Sequence, residues 1–348
     1  MLSTGLGELA GGNAEHSLVL CQPWEGVLSN YQHALAIDDL RHSDHFVDQR
    51  HSEYCAAAHG VWQKVLARNA QLIAELGHRM DPVYIEGLRE LELPKHVPTV
   101  EQLNRRLAPT GWQTVCVDGY IPSAAYAELI SQGIFPISRV IRRPEHVDFA
   151  PDPDLVHDVL GHLPLLFSPE YRRYLRRFGA VMSKARENEL DDLFFSTVRD
   201  LATIKSDPES SVDQVVEVEA RMRRVVESIS DGASELTHLR RLYVWSIEFG
   251  VIGSPDDFSI HGAALLSAPA EFRAVCARGA ACLRTFAIDA VEYENAFSDL
   301  LSHYFVAHDF GHLHDVLTEY ERLMVPGDRA LQTSEIRQIT RTSKDLVG

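Results

Sequence analysis

The stretch that decides the fold is PDPDLVHDVLGHLPLLF, residues 151–167, because it combines two histidines, a helix break and an apolar run. On an ideal α-helix five residues turn through about 500°, so His157 and His162 lie roughly 140° apart and cannot share a metal from mid-helix. Gly161 tolerates an irregular turn, and a helix is disfavoured at the residue before Pro164. We therefore expect a bend here that swings His162 toward His157.

A second informative stretch is RRLYVWSIEFG, residues 240–250, where Glu248 is surrounded by apolar and aromatic residues. Carboxylates are rarely buried without a partner. Two neutral imidazoles and one carboxylate on one face of an ion form the facial triad of non-haem Fe(II) oxygenases, which leaves adjacent positions open. On these residues alone two interpretations stay open: a helix that ends in two ordinary histidines, and a metal site.

The composition is that of a globular protein. The chain has 348 residues, of which 45% are hydrophobic and 24% charged, so a sizeable core can form. Its net charge of −17 disfavours binding to nucleic acid. The five cysteines have no zinc-type spacing, and we find neither a signal peptide nor an apolar run of about 18 residues. We expect a cytoplasmic protein with no nucleic-acid or membrane partner.

Hydrophobic periodicity predicts many helices and a small β-sheet. Apolar residues recur at helical spacing over 53–78 and, most clearly, over 211–231. Segments 111–121 and 135–142 are rich in β-branched and aromatic residues and indicate two strands. The fold class that we predict is therefore mainly α, of the α+β type.

The two stretches resemble a known family, the tetrahydropterin-dependent aromatic amino acid hydroxylases. The family's HDxxGHxPLL iron motif is similar to HDVLGHLPLL at 157–166, and its VEFG motif is similar to IEFG at 247–250. The resemblance covers about 54–310 and is closest to the bacterial single-domain members. It implies that His157, His162 and Glu248 bind the metal.

The resemblance also implies an activity. Fe(II), O₂ and a tetrahydropterin co-substrate hydroxylate the ring of a small-molecule aromatic amino acid. Phenylalanine is the leading substrate, at the 4- or 3-position, giving tyrosine or meta-tyrosine. Tryptophan is the alternative within the family. A non-catalytic iron-binding or interaction protein is the alternative from another class.

The resemblance assigns six residues to the amino acid substrate, namely Arg142, Asp154, Ala150, Pro151, Val244 and Ser267. Arg142 takes the place of the arginine that binds the substrate carboxylate, a task suited to its planar fork, and Asp154 holds it. Val244 replaces a Trp or Phe of the relatives, and Ala150 replaces a hydroxyl residue. The smaller Val244 opens volume beside the substrate ring, which favours a shifted or larger ring.

The pterin site is implied at Gly119, Tyr120, Ile121 and Tyr126, with Asp158 nearby. Tyr126 takes the stacking position, which is usually phenylalanine in the family. On residue type alone, Tyr126 also fits a helix core position with its hydroxyl at an edge.

We expect the chain to divide into three parts. Residues 1–50 are an N-terminal extension, 51–328 the catalytic domain and 329–348 a flexible C-terminal tail. The resemblance is poorest across about 197–236, so we predict a helical insertion there, either an extra packed hairpin or a lid or oligomer contact. The long C-terminal heptad helix of tetrameric relatives is not found, so we expect a monomer or dimer.

Overall fold

A computed structural model describes residues 43–148, 154–206, 210–294 and 301–324. These residues are mainly helical, as the sequence predicts. The α-helices are α1 (Ala56–Leu76), α2 (Pro82–Leu91), α3 (Val100–Leu107), α4 (Ser123–Ser131), α5 (Leu155–His157), α6 (Pro169–Met182), α7 (Glu189–Ser206), α8 (Val212–Gly232), α9 (Glu235–Tyr243), α10 (Ala263–Leu266), α11 (Pro269–Arg278) and α12 (Phe310–Leu323).

Several helices begin at polar residues that cap their free amides. Asp81 accepts from the amide of Val83 at the start of α2. Thr99 and Gln102 form a reciprocal capping box at the start of α3. These side chains satisfy amides that have no partner within the helix, so the helix starts are encoded locally.

The strands form two small sheets. In the first, β1 (Gln113–Val117) pairs in parallel with β2 (Ile134–Ser138), which confirms two strands that overlap the predicted segments 111–121 and 135–142. The second has the order β4-β3-β6-β5, with β3 at Val251–Gly253, β4 at Phe258–Ile260, β5 at Leu283–Thr285 and β6 at Tyr304–Ala307. Only the β3–β4 pair in that sheet is antiparallel.

The main hydrophobic core surrounds the histidine stretch. Trp62, Phe178 and Trp245 are among its largest fully buried side chains. Two glycines let neighbouring helices approach this stretch closely. A Cβ on Gly87 would lie 2.0 Å from the carbonyl oxygen of Pro164, and a Cβ on Gly161 would lie 2.5 Å from that of Ala263. The backbone of the stretch is therefore fixed on two sides by α2 and α10.

Helices α7 and α8 pack chiefly against each other as a hairpin. The hairpin begins at Glu189, eight residues before the predicted insertion at about 197–236, and ends inside it. The two helices share a small cluster of buried residues separate from the main core, formed by Val225, Ile229 and Ala233 with Leu190 and Phe194 packed on it. The sequence predicts helices at 169–190 and 191–204, whereas the observed break lies between Met182 and Glu189. Asn188 explains it, since its Oδ1 accepts from the amide of Leu190 as α7 begins.

The predicted domain division is covered only in part by the described residues. Phe46 pairs with Val117 of β1, so at least this part of 1–50 lies against the body of the protein. The tail at 329–348 and residues 1–42 lie outside the described residues, and the division stays a prediction. In the described part of the chain, no helix combines the length and apolar character needed to cross a membrane.

Candidate metal centre and adjoining cavity

The two histidines are brought together by an unusual helical turn. α5 ends at His157 and continues as a π-helical turn over Asp158–His162, followed by a 3₁₀ turn over Leu163–Phe167. In a π-turn the backbone hydrogen bond joins residues five apart, so residues at that spacing share one face. The predicted bend exists, but its geometry comes from the π-turn, and Gly161 serves the close contact with α10.

Glu248 is delivered by a second π-turn. This turn spans Val244–Glu248 and continues directly from α9. The carboxylate oxygens of Glu248 lie 3.2 Å from the Nε2 atoms of both His157 and His162. Those two Nε2 atoms are themselves 3.2 Å apart.

These three side chains present a donor set that fits Fe(II). Their ligand atoms all lie within 4.8 Å of one another, and within the described ranges no other group of three His, Cys, Asp or Glu residues meets that condition. Two imidazole nitrogens and a carboxylate on one side of an ion leave positions open for other ligands. The geometry is thus the one expected of a facial triad.

Each histidine is oriented through its other ring nitrogen. The Oγ of Ser267 donates to the carbonyl oxygen of Ala263 at 2.8 Å, so it accepts from the Nδ1 of His157 at 3.0 Å. His157 then carries its proton on Nδ1 and offers a lone pair on Nε2. The Nδ1 of His162 lies 3.0 Å from the hydroxyl of Tyr171. Such partners fix the ring orientation of metal-binding histidines.

Burial and the charges of neighbouring groups shift the pKa values of these three residues in opposite directions. Burial alone raises the pKa of Glu248, but the adjacent His162 and His157 outweigh it and hold that pKa below its ordinary value. Burial lowers the pKa of both histidines. In His162 burial prevails, whereas in His157 the neighbouring carboxylates prevail and the pKa is raised. Glu248 is therefore ionised, as a metal ligand must be.

Arg142 and Asp154 form a buried pair behind the centre. Their side chains are 2% and 5% exposed, and the guanidinium Nη2 donates to Oδ1 of Asp154 at 2.7 Å. Asp154 also accepts from the amide of His157, and Arg142 Nη1 donates to the carbonyl oxygen of Ser267 at 3.2 Å. Arg142 is thus held as the resemblance implies, but neither member of the pair lines the cavity described next.

A cavity of about 500 Å³ opens beside the three predicted metal ligands. Of the predicted residues, His157, His162, Glu248, Val244, Ser267, Gly119, Tyr120, Ile121, Tyr126 and Asp158 line it. Ala150 and Pro151 lie outside the described residues. The structure thus brings the predicted metal, pterin and part of the predicted substrate residues to a single cavity, of a size usual for small-molecule sites.

Two of the predicted pterin residues, Gly119 and Asp158, lie at the carboxyl ends of β1 and β2. Gly119 has a φ of +69°, a conformation that favours glycine, in the turn after β1. Asp158 accepts from the amide of Ser138 at the end of β2 at 2.7 Å. Burial raises the pKa of Asp158 to about 7, against the lowering effect of His157 and that amide.

The structure also reveals site residues that the sequence did not single out. The hydroxyl of Tyr126 contacts that of Tyr243, and their rings meet edge to face with centroids 5.5 Å apart. Phe135 packs on the ring of His162, 4.6 Å between centroids. Phe194 and Phe195 of α7 also line the cavity. Strand and helix patterns assign these side chains to a core, and only tertiary contacts reveal which of them face the site.

Comparison with known proteins gives an independent view of the chain. A model of the family described as biopterin-dependent aromatic amino acid hydroxylase matches residues 41–203 and 220–329. Phenylalanine-4-hydroxylase of Chromobacterium violaceum is 29% identical over 231 residues, which are 66% of this chain and 62% of that protein. The enzyme of the same name from Ralstonia nicotianae is 29% identical over 66% of this chain and 58% of its own length. The chain thus spans about three fifths of the length of these relatives.

Solved structures agree with the sequence comparison. The crystal structure of Chromobacterium violaceum phenylalanine hydroxylase with bound iron(III) and 7,8-dihydrobiopterin is 26% identical, with a TM-score of 0.61. The match covers 80% of this chain and 86% of the chain in that crystal structure. The family model spans most of the chain, including all three predicted metal ligands. The chain therefore belongs to the biopterin-dependent aromatic amino acid hydroxylase family.

Proposed function

We propose that this protein is an Fe(II)- and tetrahydropterin-dependent monooxygenase that hydroxylates the ring of an aromatic amino acid. The observation that carries the proposal is the convergence of His157, His162 and Glu248 at a cavity that the predicted pterin residues also line. The related Chromobacterium violaceum enzyme holds iron and a biopterin, which supports the same two cofactors here. Phenylalanine is the leading substrate, since the relatives above are phenylalanine-4-hydroxylases, and tryptophan is the alternative.

In this proposal the cofactors carry out the oxidation, and the protein positions the metal, the pterin and the substrate. Fe(II) and a tetrahydropterin, when bound, together activate O₂ for attack on an aromatic ring. His157 and His162, fixed by Ser267 and Tyr171, and the ionised Glu248 hold the metal on one side of the cavity. Tyr126 and the turn at Gly119 bind the pterin, and Val244 borders the substrate ring.

In this proposal the resemblance assigns Arg142 to the carboxylate of the amino acid, and Asp154 fixes its position. Arg142 lies behind the cavity lining and is not part of it. The pair lies directly behind Ser267, to whose carbonyl oxygen Arg142 donates. A guanidinium held by a buried carboxylate is oriented before the substrate arrives, which lowers the cost of binding. Ala150 and Pro151 complete this end of the site in the proposal. A cytoplasmic location and a monomeric or dimeric state are also proposed.

Product analysis tests the proposal. The Fe(II)-loaded protein is incubated with O₂, tetrahydropterin and, separately, phenylalanine, tyrosine or tryptophan, and the products are identified by chromatography and mass spectrometry against all hydroxyphenylalanine isomers. We expect a pterin-dependent hydroxylated product that is lost in His162→Ala. His308→Ala is the matched control, because His308 has an 85% exposed side chain. Iron binding with no pterin oxidation on any of these substrates would instead favour the non-catalytic alternative.

A further inference from the structure

One face of α7 forms part of the wall of the cavity at the metal centre. Asp191, Phe194, Phe195 and Val198 all line that cavity. Their spacing is i, i+3, i+4 and i+7, which places them on one side of a helix. Two turns of α7 therefore face the space into which the metal ligands also project.

The contacts of α7 connect it to the pterin end of the cavity. The guanidinium carbon of Arg240 lies 3.9 Å from the ring centroid of Phe194. Arg240 lines the cavity from α9, and three residues later, Tyr243 contacts the hydroxyl of Tyr126. Since residues three apart on a helix are neighbours on its surface, the α7 wall and Tyr126 adjoin the same side of α9.

α7 is also held firmly on α9. Asp191 Oδ1 accepts from the hydroxyl of Thr237 at 2.7 Å. Arg186 Nη2 donates to Glu235 Oε1 at 2.6 Å, and the amide of Leu236 donates to the carbonyl oxygen of Arg186 at 3.1 Å. The side chain of Glu235 is only 2% exposed and that of Arg186 is 28% exposed, so the carboxylate of this pair is shielded from water. A wall fixed in this way has a defined position relative to a bound ligand.

Phe194 and Phe195 differ in what else they contact. Phe194 packs on the small core of the α7–α8 hairpin and on Arg240. Phe195 is absent from that small core, and its ring lies 5.8 Å from the guanidinium of Arg199, one turn further along α7. Of the two phenylalanines of this wall, Phe195 therefore makes fewer packing contacts within the described residues and is the one more available to a ligand.

We propose that α7 is the outer wall of the pterin compartment and that Phe195 packs against the bound tetrahydropterin. This inference rests on the proposed function. A flat heterocycle gains most from contact with an aromatic side chain, through apolar burial and favourable ring geometry. Phe195 is then a positioning residue for the co-substrate, carried by a hairpin in which the family model is interrupted at residues 204–219.

The test is Phe195→Ala in the full chain. We expect the Kd for tetrahydrobiopterin, measured anaerobically by titration calorimetry on the Fe(II)-loaded and metal-free protein, to rise about tenfold. The KM for the pterin should rise in parallel, while the KM for the amino acid should change less than about twofold. Phe195→Tyr keeps the ring and should stay near wild type, whereas Phe195→Leu, which keeps bulk, should give an intermediate Kd.

Leu193→Ala is the control, because Leu193 is 43% exposed on the same helix and does not line the cavity. An unchanged Kd for the pterin in Phe195→Ala, or a loss of amino acid affinity in its place, would overturn the inference. If the wild-type chain binds and oxidises pterin but the variants match it, only the inference fails. If the wild-type chain binds no pterin, the proposed function fails with it.

Discussion

At the scale of single residues, the hydroxyl of Ser267 controls the orientation of His157. It links the Nδ1 of His157 to the carbonyl oxygen of Ala263 and so selects the tautomer that can bind a metal. We expect Ser267→Ala to weaken Fe(II) binding about tenfold or more, as is usual when such a partner is lost. Titration of the metal-free protein with Fe(II) measures this.

The control for that prediction is Ser183→Ala, since Ser183 is exposed at the end of α6. Equal Fe(II) affinity in Ser267→Ala and Ser183→Ala would show that the Ser267 hydroxyl does not orient His157.

Val244 belongs to the same scale. It is partly buried, lines the cavity and stands four residues before Glu248. A tryptophan here fills space next to the metal centre, so we expect Val244→Trp to change the ratio of hydroxyphenylalanine isomers or the preference between phenylalanine and tryptophan by about tenfold. Isomer analysis by chromatography measures the change. Val244→Ile is the conservative comparison, and a product profile in Val244→Trp that equals that of Val244→Ile contradicts the prediction.

At the scale of secondary-structure elements, the two π-turns determine how His157, His162 and Glu248 are arranged. The π-turn at Asp158–His162 is held against α10 by the close approach at Gly161, where a Cβ would meet the carbonyl oxygen of Ala263 at 2.5 Å. A backbone atom cannot swing away as a side chain can. We expect Gly161→Ala to lower the free energy of unfolding by about 2–3 kcal/mol, measured by urea denaturation, and to weaken Fe(II) binding.

Gly60→Ala provides the matched control for this helix substitution. Gly60 lies within α1, and a Cβ there meets nothing within 4 Å. Alanine should therefore stabilise the protein at this site by up to about 1 kcal/mol. If Gly161→Ala and Gly60→Ala changed the free energy of unfolding in the same direction, the close approach at Gly161 would not explain the effect of Gly161→Ala.

The π-turns also show how far sequence reasoning reaches. The grouping of His157, His162 and Glu248 was predictable through the family resemblance, because the residue types alone left both an ordinary helix end and a metal site open. The turn that achieves it was not, since a π-turn depends on packing by α10 that no local pattern encodes. Arg142 shows the same limit: its partner Asp154 was predicted, but its position behind the cavity lining was not.

At the scale of the whole molecule, buried histidines make stability depend on pH. His238 is fully buried, next to the hydroxyl of Tyr320 at 3.1 Å. Burial, aided by the positive charge of Arg241, lowers its pKa to about 4. The unfolded chain binds this proton below about pH 6.5 but the folded chain only below about pH 4, so stability falls as pH decreases through that window.

We therefore expect His238→Gln to lose this part of the pH dependence. Between pH 7 and pH 5 the wild-type free energy of unfolding should fall by about 2 kcal/mol more than that of the variant. Urea denaturation of both proteins at the two pH values measures the difference. Asp158, whose raised pKa acts in the opposite direction, cancels in the comparison. Parallel pH profiles would contradict the prediction.

The fold as a whole was easier to predict than its division into parts. Helical periodicity and two β-rich segments predicted the mainly α class, which the structure has. The hairpin of α7 and α8 was predicted as a helical insertion, but its place beside the cavity was not. Its contact with the cavity depends on pairs distant in sequence, such as Arg240 with Phe194, which periodicity cannot reveal.

The contact between Arg186 and Glu235 has a consequence for how such a protein can diversify. It holds the two ends of the α7–α8 hairpin side by side, immediately before α9 leads to Glu248. We therefore expect the backbone on either side to keep its path when the length or sequence of the hairpin changes. We expect natural variation to concentrate between these two ends, so that ligand preference changes through the hairpin while His157, His162 and Glu248 stay in place.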